Sequence, residues 1–311
     1  MASFMTDDIP DLTGKLAVVT GSNSGTGFQT ALEMARKGAE VVMAVRSAAR
    51  AGDAIRRICR DVPTANVRFE ALDLADQASV AAFADRLLAE GRPIDILVNN
   101  AGVMALPTRE VTVDGFEVQL ATNYLGHFAL TARLLPLLKA GQARVVQLSS
   151  IAHRQGRIAF DDLNHQDDYK AWPVYAQSKL AMLMFGLELD RRSRAEGWGL
   201  TSVAAHPGYA RTGLISNGPL GKRPGMRIAM RLIYRPFIEP LISNSAAGGA
   251  LPILMAATAP NVEGGAYVGV SRLREMTGPP GPAKAEPAAL DEGAAARLWA
   301  STEAMLNVSF A

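Results

Sequence analysis

Two side chains able to move a proton, Tyr175 and Lys179, stand four positions apart in a stretch with helical spacing, Tyr175–Arg192. Because four residues make about one helical turn, both side chains are expected on one face of that helix. A free phenol has a pKa near ~10, too high for proton transfer at neutral pH. A lysine charge about 4 Å away is worth up to about 4 kcal/mol at an effective dielectric constant of about 20, or roughly three pKa units. The pair therefore predicts a tyrosine acid/base whose pKa the lysine lowers.

A glycine-rich turn offers a second kind of chemistry. Gly21, Gly25 and Gly27 lie between a compact apolar run, Leu16–Val19, and a stretch with helical spacing that ends at Gly38. Such glycines let the backbone approach a phosphate closely, and the N–H groups of the following helix face the anion. The turn is predicted to bind a dinucleotide, and a merely tight turn is the alternative.

The end of the second predicted strand indicates which dinucleotide binds. Folds that take NAD carry an acidic residue there, about 20 residues past the glycine turn, on the ribose 2′-hydroxyl. No Asp or Glu lies within Val41–Gly52, whereas Arg46 and Ser47 follow the strand directly. A guanidinium can pair with a 2′-phosphate. The sequence therefore predicts NADP(H), read by Arg46 and Ser47, and an arginine solvated in a loop is the alternative.

Short β-branched runs alternate with segments of helical period along most of the chain. Runs that are apolar along their whole length indicate strands buried on both faces, and helical crossovers indicate parallel pairing. We predict a single α/β domain over residues 1–311, a Rossmann-like doubly wound parallel sheet of about seven strands with helices on both faces. The predicted strands are Leu16–Val19, Val41–Val45, Val67–Leu72, Ile94–Val98, Val145–Leu148, Leu200–Ala205 and Ala266–Val270.

Three segments call for separate expectations. The helix Tyr175–Leu189 is apolar nearly all round, so it is either buried in the domain or half covered by a partner subunit, which leaves a homo-oligomer open. Residues 213–245 are apolar and carry methionines, which predicts a substrate lid, with core packing or a dimer contact as the alternative. Residues 271–311 are predicted as a C-terminal loop, rich in proline and glycine over Ser271–Pro287, and a last helix at about Ala288–Leu306.

Composition excludes several classes of protein. The 311 residues carry a formal net charge of +2 and are 49% hydrophobic, which argues against a nucleic-acid binder and against global disorder. The single cysteine, Cys59, cannot form an intrachain disulfide and indicates a reducing, cytoplasmic location. The four histidines show no ligand spacing, so no metal site is expected. The acidic start of the chain and the lack of a run of ~18 apolar residues predict a soluble protein without a membrane span.

Five motifs follow one another along the chain: Thr-Gly-x-x-x-Gly-x-Gly from Thr20, Asn99-Asn100-Ala101-Gly102, Ser150, Tyr175-x-x-x-Lys179, and Pro207-Gly208 followed by Thr212. In these residues and in this order, the chain resembles the short-chain dehydrogenase/reductase family over about residues 12–270. One departure is Thr26, where the family usually has an aliphatic residue.

The resemblance implies a cofactor site. Asp73-Leu74 is similar to the family's adenine-contacting pair, although a turn or N-cap aspartate is the alternative. The expected cofactor residues are Gly21, Ser22, Asn23, Ser24, Gly25, Thr26, Gly27, Arg46, Ser47, Asp73, Leu74, Asn100, Ala101, Gly102, Tyr175, Lys179, Pro207, Gly208 and Thr212.

The resemblance also implies a catalytic set. Tyr175 is the acid for carbonyl reduction and the base for alcohol oxidation, and Lys179 also holds the nicotinamide ribose. Ser150, rather than its neighbour Ser149, hydrogen-bonds the substrate oxygen, because the family's serine is the second of the pair. Asn123 is similar to the helix asparagine that holds a water for proton relay, and an ordinary helix asparagine is the alternative.

The chain between Ser150 and Tyr175 is about twice as long as in the commonest short-form members. With Gly126-His127-Phe128 and Val203–Gly208, this insert resembles the retinol-dehydrogenase-like branch, which also contains light-dependent protochlorophyllide reductases, a minor alternative. Many animal retinol dehydrogenases carry an N-terminal membrane anchor that is not seen here, which favours a soluble, bacterial member. With the apolar residues of 213–245, the resemblance implies an enzyme that interconverts a bulky hydrophobic alcohol and its ketone or aldehyde with NADP(H).

Two other functions share parts of this pattern. Nucleotide-sugar epimerases or dehydratases share Tyr-x-x-x-Lys, but their glycines usually stand as Gly-x-x-Gly-x-x-Gly, unlike Gly21, Gly25 and Gly27. A non-catalytic NADPH-sensing protein on the same fold can lose the tyrosine or lysine, whereas the whole set is present here.

Overall fold

The computed structural model describes residues 4–209 and 244–310, and its strands form one sheet. The strands are β1 (Leu16–Thr20), β2 (Glu40–Val45), β3 (Asn66–Ala71), β4 (Ile96–Asn99), β5 (Arg144–Leu148), β6 (Thr201–Ala205), β7 (Tyr267–Arg272) and β8 (Thr277–Pro282). Their order is β3-β2-β1-β4-β5-β6-β7-β8, and every neighbouring pair is parallel except β7 with β8. This confirms the predicted doubly wound α/β sheet.

The helices alternate with the strands, as the periodicity predicts. They are α1 (Gly25–Arg36), α2 (Ala48–Asp61), α3 (Gln77–Glu90), α4 (Val118–Leu120), α5 (Gly126–Arg133), α6 (Leu135–Ala140), α7 (Ala171–Glu196), α8 (Ala246–Thr258) and α9 (Glu292–Leu306). A π-helical turn, Ala121–Leu125, joins α4 to α5, so the chain from Val118 to Ala140 is a series of short helical pieces. Short 3-10 turns occupy Thr6–Asp8, Ile151–Gln155 and Pro287–Ala289.

The sheet is buried on both faces, which explains why its strands are apolar throughout. Successive side chains of a strand point to opposite faces. Along β1, Leu16 and Val18 lie in the core beneath α3, α5, α7 and α9, whereas Ala17 and Val19 lie in the core beneath α1, α2 and α8. The continuous apolar runs therefore follow from two cores sharing one sheet.

The eighth strand corrects the sequence prediction. Ser271–Pro287 is predicted as a surface loop, but β7 extends to Arg272 and Thr277–Pro282 forms β8, an antiparallel edge strand. Proline cannot donate to a sheet ladder and is tolerated on edge strands, so the composition of TGPPGP hides the strand from a propensity argument. The last helix also begins later than predicted, at Glu292.

Helix α7 is buried by its own chain. Its buried residues run from Val174 to Ser193, between the sheet on one side and the C-terminal helix on the other. The Trp299 ring of α9 packs 5.6 Å from Phe185 and 5.0 Å from Phe128, and Phe310 covers Trp299 at 4.4 Å. The structure thus favours the first of the two readings of this apolar helix, and homo-oligomerisation stays a prediction.

The sheet topology fixes where a ligand can bind. The chain moves outward from β1 to β2 and β3 in one direction, and from β4 to β8 in the other. In open α/β sheets, ligands bind beyond the carboxyl ends of the strands where the order reverses, which here lies between β1 and β4. Among the helices of residues 4–209 and 244–310, none combines the length and apolarity that a membrane crossing requires.

Replacing Trp299 tests whether the C-terminal helix closes the core. We expect Trp299→Ala to lower the free energy of unfolding by ~3–5 kcal/mol, because it leaves a cavity among Phe128, Phe185 and Phe310. Urea unfolding followed by circular dichroism measures the loss. Leu290→Ala is the control, since Leu290 is 59% exposed and should change stability by no more than ~0.5 kcal/mol. Equal effects of the two substitutions would contradict this packing.

Candidate active site

The glycine turn lies at the carboxyl end of β1, packed against the end of β4. Gly21 has a φ of +65°, and a Cβ there would stand 2.8 Å from Cα of Ala101. A Cβ on Gly27 would meet the Asn100 side chain and stand 2.7 Å from the carbonyl oxygen of Gly21. These two glycines are therefore required by close approach between the turn, α1 and β4.

The start of α1 has the features of an anion site. Its N-cap, Ser24, is exposed and makes no side-chain capping bond, and the first turn of α1 contains no acidic residue. The first N–H groups of a helix lack intrahelical partners and attract negative charge. Ser22, by contrast, is buried and donates to the carbonyl of Val19 at 2.9 Å, while Asn23 is half-buried. The backbone of this turn fits a diphosphate, and the Ser24 hydroxyl is free of the capping role.

Thr26, the departure from the family pattern, has a partner in the structure. Its hydroxyl donates to Oδ1 of Asn100 at 3.1 Å, and Nδ2 of Asn100 donates to the carbonyl of Thr20 at 2.8 Å. The backbone N–H groups of Asn100 and Ala101 both donate to the Thr20 hydroxyl at 2.9 Å. The threonine thus adds a polar bond between α1 and the segment after β4, where an aliphatic side chain would only pack.

The predicted readers of the adenosine end lie beyond β2 and β3. Arg46 is 66% exposed, and its guanidinium stands 3.9 Å from the Asp73 carboxylate. Ser47 is the N-cap of α2 and accepts from the backbone N–H of Arg50 at 3.3 Å. Asp73 accepts from the N–H of Ala75 at 3.0 Å, the turn role considered as its alternative, and Leu74 is buried. Arg46 is therefore available to bind a phosphate. It precedes α2, and the first N–H groups of a helix also attract an anion.

Tyr175 lies in a buried pocket near the start of α7. It packs with Ala152, Ala176 and Met104, and it is only 7% exposed. Burial raises the pKa of its phenol, and an interaction with the Ser150 hydroxyl partly lowers it. The structure therefore brings Ser150 and Tyr175 together.

Lys179 lies one turn further along α7 and is also buried. Its ammonium donates to the carbonyl of Leu148 at 2.9 Å, and burial lowers its pKa to about 8. Burial has the largest effect on both pKa values, and the lowering of the Tyr175 pKa by Lys179 stays a prediction. Gly102 borders the pair, since a Cβ there would stand 3.4 Å from Nζ of Lys179.

The two adjacent serines have different partners. The Ser149 hydroxyl is buried and donates to the carbonyl of Lys179 at 2.7 Å. The Ser150 hydroxyl accepts from the N–H of Ala152 at 3.2 Å and faces Tyr175. Of the two, Ser150 stands beside the phenol, whereas Ser149 connects β5 to α7.

Asn123 lies in the π-helical turn, and its side chain is used within the protein. Oδ1 accepts from the N–H of Val103 at 2.8 Å, and Nδ2 donates to the carbonyl of Val103 at 3.0 Å and to the Ser178 hydroxyl at 2.8 Å. Its backbone carbonyl stands 3.0 Å from Nδ1 of His127. Asn123 thus fixes the segment after Gly102 against α7, and its relay role stays a prediction.

The remaining predicted residues flank β6. Pro207 and Gly208 follow it, and Gly208 has a φ of +66°. Thr212 and all of the predicted lid 213–245 except Asn244 and Ser245 lie outside the described residues. Within the described ranges, no three His, Cys, Asp or Glu side chains converge as metal ligands.

The structure also shows residues that the sequence argument missed. Trp172 lies one turn before Tyr175 on α7, is 43% exposed, and has its ring 5.6 Å from the Tyr175 ring. Its indole N–H donates to Gln155, in the insert after Ser150, at 2.8 Å. The predicted helix begins at Tyr175, whereas α7 begins at Ala171, so the spacing of three residues between Trp172 and Tyr175 becomes informative only with the earlier start.

Comparisons with known proteins accord with this geometry. The model of the family described as short chain dehydrogenase matches residues 15–219. The chain belongs to the short-chain dehydrogenase/reductase family. It is 40% identical over 304 residues to mouse (Mus musculus) retinol dehydrogenase 13, which covers 96% of this chain and 85% of that protein. It is 38% identical to mouse retinol dehydrogenase 14, over 95% of this chain and 86% of that one. The predicted family and its retinol-dehydrogenase-like branch are confirmed.

Solved structures show the same fold. A protein from Mycobacterium paratuberculosis of uncharacterised function superposes with a TM-score of 0.81 at 38% identity, covering 100% of both chains. A gluconate 5-dehydrogenase from Beutenbergia cavernae, described as NAD(P)-dependent and holding NADP at low occupancy, has a TM-score of 0.60. At 24% identity, over 80% of this chain and 91% of that one, this second likeness shows the fold alone.

Two helical glycines provide a matched test of the close approach. Gly27→Ala should lower the free energy of unfolding by ~1–3 kcal/mol, because its Cβ would displace the Asn100 side chain or the backbone of Gly21. Gly52→Ala is the control: on α2 a Cβ meets only the end of Arg56 at 3.5 Å, so alanine should stabilise by up to ~1 kcal/mol. Thermal and urea unfolding measure both. A Gly27→Ala protein as stable as the parent would mean that the turn and β4 are less closely packed.

Proposed function

We propose that this protein is an NADP(H)-dependent oxidoreductase that interconverts a hydrophobic alcohol and its ketone or aldehyde. The observation that carries the proposal is the meeting of Ser150, Tyr175 and Lys179 beside Gly102, at the carboxyl edge of the sheet. The glycine turn after β1 lies at the same edge. A phosphate-binding turn and a proton-donating group in one cleft are what hydride transfer to a carbonyl requires.

The cofactor is assigned on the residues that fit it. The uncapped start of α1 takes the diphosphate, the exposed Arg46 with Ser47 takes the 2′-phosphate, and Asp73 with Leu74 borders the adenine. Asn100, Ala101 and Gly102 continue this surface towards Lys179. When bound, the nicotinamide supplies or accepts the hydride.

The proton is handled by the chain's own side chains. Tyr175 gives its phenolic proton to the oxygen of the reduced carbonyl, or takes it from the alcohol in the reverse direction. Ser150 donates a hydrogen bond to the same oxygen and stabilises the charge that develops there. Lys179, with a pKa lowered to about 8, stays mostly charged at neutral pH and holds the ribose hydroxyls near Tyr175. A charge on bound oxidised cofactor would add to that of Lys179 in favouring the phenolate.

The substrate is expected to be apolar. Met104 and the half-exposed Trp172 both lie against Tyr175, so a thioether and an indole are the apolar groups beside the phenol. Such a surface suits long aliphatic, polyene or aromatic carbonyls rather than small polar ones. The curated relatives named as retinol dehydrogenases favour the same class. The single cysteine, Cys59, which stays half-buried on α2, supports placing this activity in the cytoplasm.

A panel of carbonyls with one matched variant tests the function. We expect NADPH-dependent reduction, with kcat/KM higher for a long aliphatic or aromatic aldehyde than for a small polar ketone. Tyr175→Phe should keep the ring packing and cofactor binding but lose at least ~10³-fold in kcat, because no proton donor replaces the phenol. Turnover is followed by NADPH absorbance and binding by fluorescence. Substantial activity in Tyr175→Phe with cofactor bound would make Tyr175 a packing residue.

Reversing one charge tests the cofactor. The parent should bind NADPH more tightly than NADH, and Arg46→Asp should reverse this preference by at least ~10-fold, because a carboxylate repels the 2′-phosphate and accepts from a 2′-hydroxyl. Fluorescence titration of both cofactors gives the Kd values. Arg36→Asp is a charge-matched control, on α1 and paired with Glu33. Equal NADPH and NADH affinities in the parent would refute the assignment.

A further inference from the structure

A half-buried carboxylate outside the catalytic set connects two loops of the site. Glu275 lies in the turn between β7 and β8, and its side chain is 16% exposed. Oε2 stands 3.1 Å from Nε2 of His206, the residue before Pro207, and accepts from Arg154 at 2.7 Å. Oε1 accepts from the backbone N–H of Lys284 at 3.1 Å.

His206 can face Glu275 in only one tautomer. The backbone N–H of Gly208 donates to Nδ1 of His206 at 3.1 Å, so Nδ1 must be unprotonated and Nε2 must carry the proton towards Glu275. The imidazole is fully buried, and burial lowers its pKa, so the ring is neutral near pH 7. The carboxylate thereby holds the ring that orients Gly208.

Arg154 connects the same carboxylate to the other loop. It belongs to the 3-10 turn Ile151–Gln155, which begins directly after Ser150. Besides Glu275, its guanidinium donates to the backbone carbonyl of Arg274 at 3.0 Å, and it stands 3.9 Å from the Glu286 carboxylate. Two loops far apart in sequence therefore meet at one carboxylate.

The turn that presents Glu275 has an unusual backbone. Leu273, Arg274 and Glu275 have φ values of +48°, +54° and +66°, three successive non-glycine residues in the left-handed region. Each such residue costs roughly 1 kcal/mol or more and persists where surrounding contacts hold it. The next residue, Met276, accepts from the N–H of Tyr209 at 2.7 Å, so the same turn also binds the backbone after Gly208.

We propose that Glu275 is a positioning residue for the nicotinamide end of the cofactor. By accepting from Arg154 and His206 together, it sets the Ser150 loop and the Pro207–Gly208 loop at a fixed separation. The inference rests on the proposed function, in which Ser150 contacts the substrate and Pro207–Gly208 borders the nicotinamide. It assigns a role to Glu275, on the β7–β8 hairpin, which would contact neither the substrate nor the nicotinamide. It also gives the strained turn a function.

Two ligands separate positioning from general stability. NADPH carries the nicotinamide, whereas 2′-phospho-ADP-ribose keeps the adenosine, 2′-phosphate and diphosphate without it. Glu275→Gln keeps the side-chain volume but presents an amide N–H to donors that need an acceptor. We expect the Kd for NADPH to rise about tenfold and kcat to fall about tenfold, since one charged hydrogen-bond pair is lost, with the Kd for 2′-phospho-ADP-ribose within twofold of the parent.

The control is Glu286→Gln, which removes the other carboxylate facing Arg154 without touching His206, and it should change all three quantities less than twofold. Arg154→Lys, which keeps the charge but loses the forked geometry, should repeat the pattern of Glu275→Gln and serves if that variant does not fold. Equal weakening of both ligands, or no change in either, would overturn the positioning role. A parent protein that binds neither ligand would instead overturn the proposed function, and the inference with it.

Discussion

Several hydrogen bonds join the ends of β1 and β4, and the geometry of the rest of the site depends on them. Thr20 and Asn100 hold these strand ends together through the backbone and side chain, and the space between them admits no Cβ at Gly21. Residues further along the chain contact the same strand ends. The Asn123 side chain accepts from the N–H of Val103, and the His127 ring contacts the Asn123 carbonyl through Nδ1 and the Thr20 hydroxyl, at 2.9 Å, through Nε2. Burial lowers the pKa of His127 to about 3, so this closed ring of contacts carries no charge at neutral pH.

The sheet, the glycine turn and the placement of Tyr175 and Lys179 could be predicted from the sequence, because the residues that determine each of them are close together along the chain. Apolar runs of strand length, helical spacing after each, and glycines directly after β1 gave the sheet, its parallel pairing and the turn. Tyr175 and Lys179 could be placed on one helical face because four residues separate them. The eighth strand could not be predicted from the sequence, because its prolines disfavour a strand and it forms only through its pairing with β7. The contacts of Glu275 could not be predicted from the sequence either, because its partners, Arg154 and His206, lie far away along the chain.

Spacing along a helix does not by itself describe the electrostatics of a buried pair such as Tyr175 and Lys179. A coupling of about 4 kcal/mol assumes a partly solvated site, but Tyr175 and Lys179 are both buried, and desolvation opposes either charge. The result is a neutral phenol with a raised pKa beside an ammonium whose lowered pKa, about 8, leaves it mostly charged at neutral pH. Under the proposed function, the positive charge of an oxidised cofactor would add to that of Lys179 in stabilising a Tyr175 phenolate.

Different kinds of contact hold the glycine turn and the loops around Ser150 in place. At the glycine turn, backbone contacts and glycines leave little freedom, which under the proposed function suits the diphosphate of a dinucleotide. On the substrate side, the Ser150 loop, Trp172 and the β7–β8 turn are held by side chains that meet across long sequence distances. Side-chain contacts of that kind can be exchanged one at a time without disturbing the β1–β4 junction. Under the proposed function, the β1–β4 junction would fix the diphosphate end of the cofactor, whereas the outer loops would set its nicotinamide end and the surface that meets the substrate.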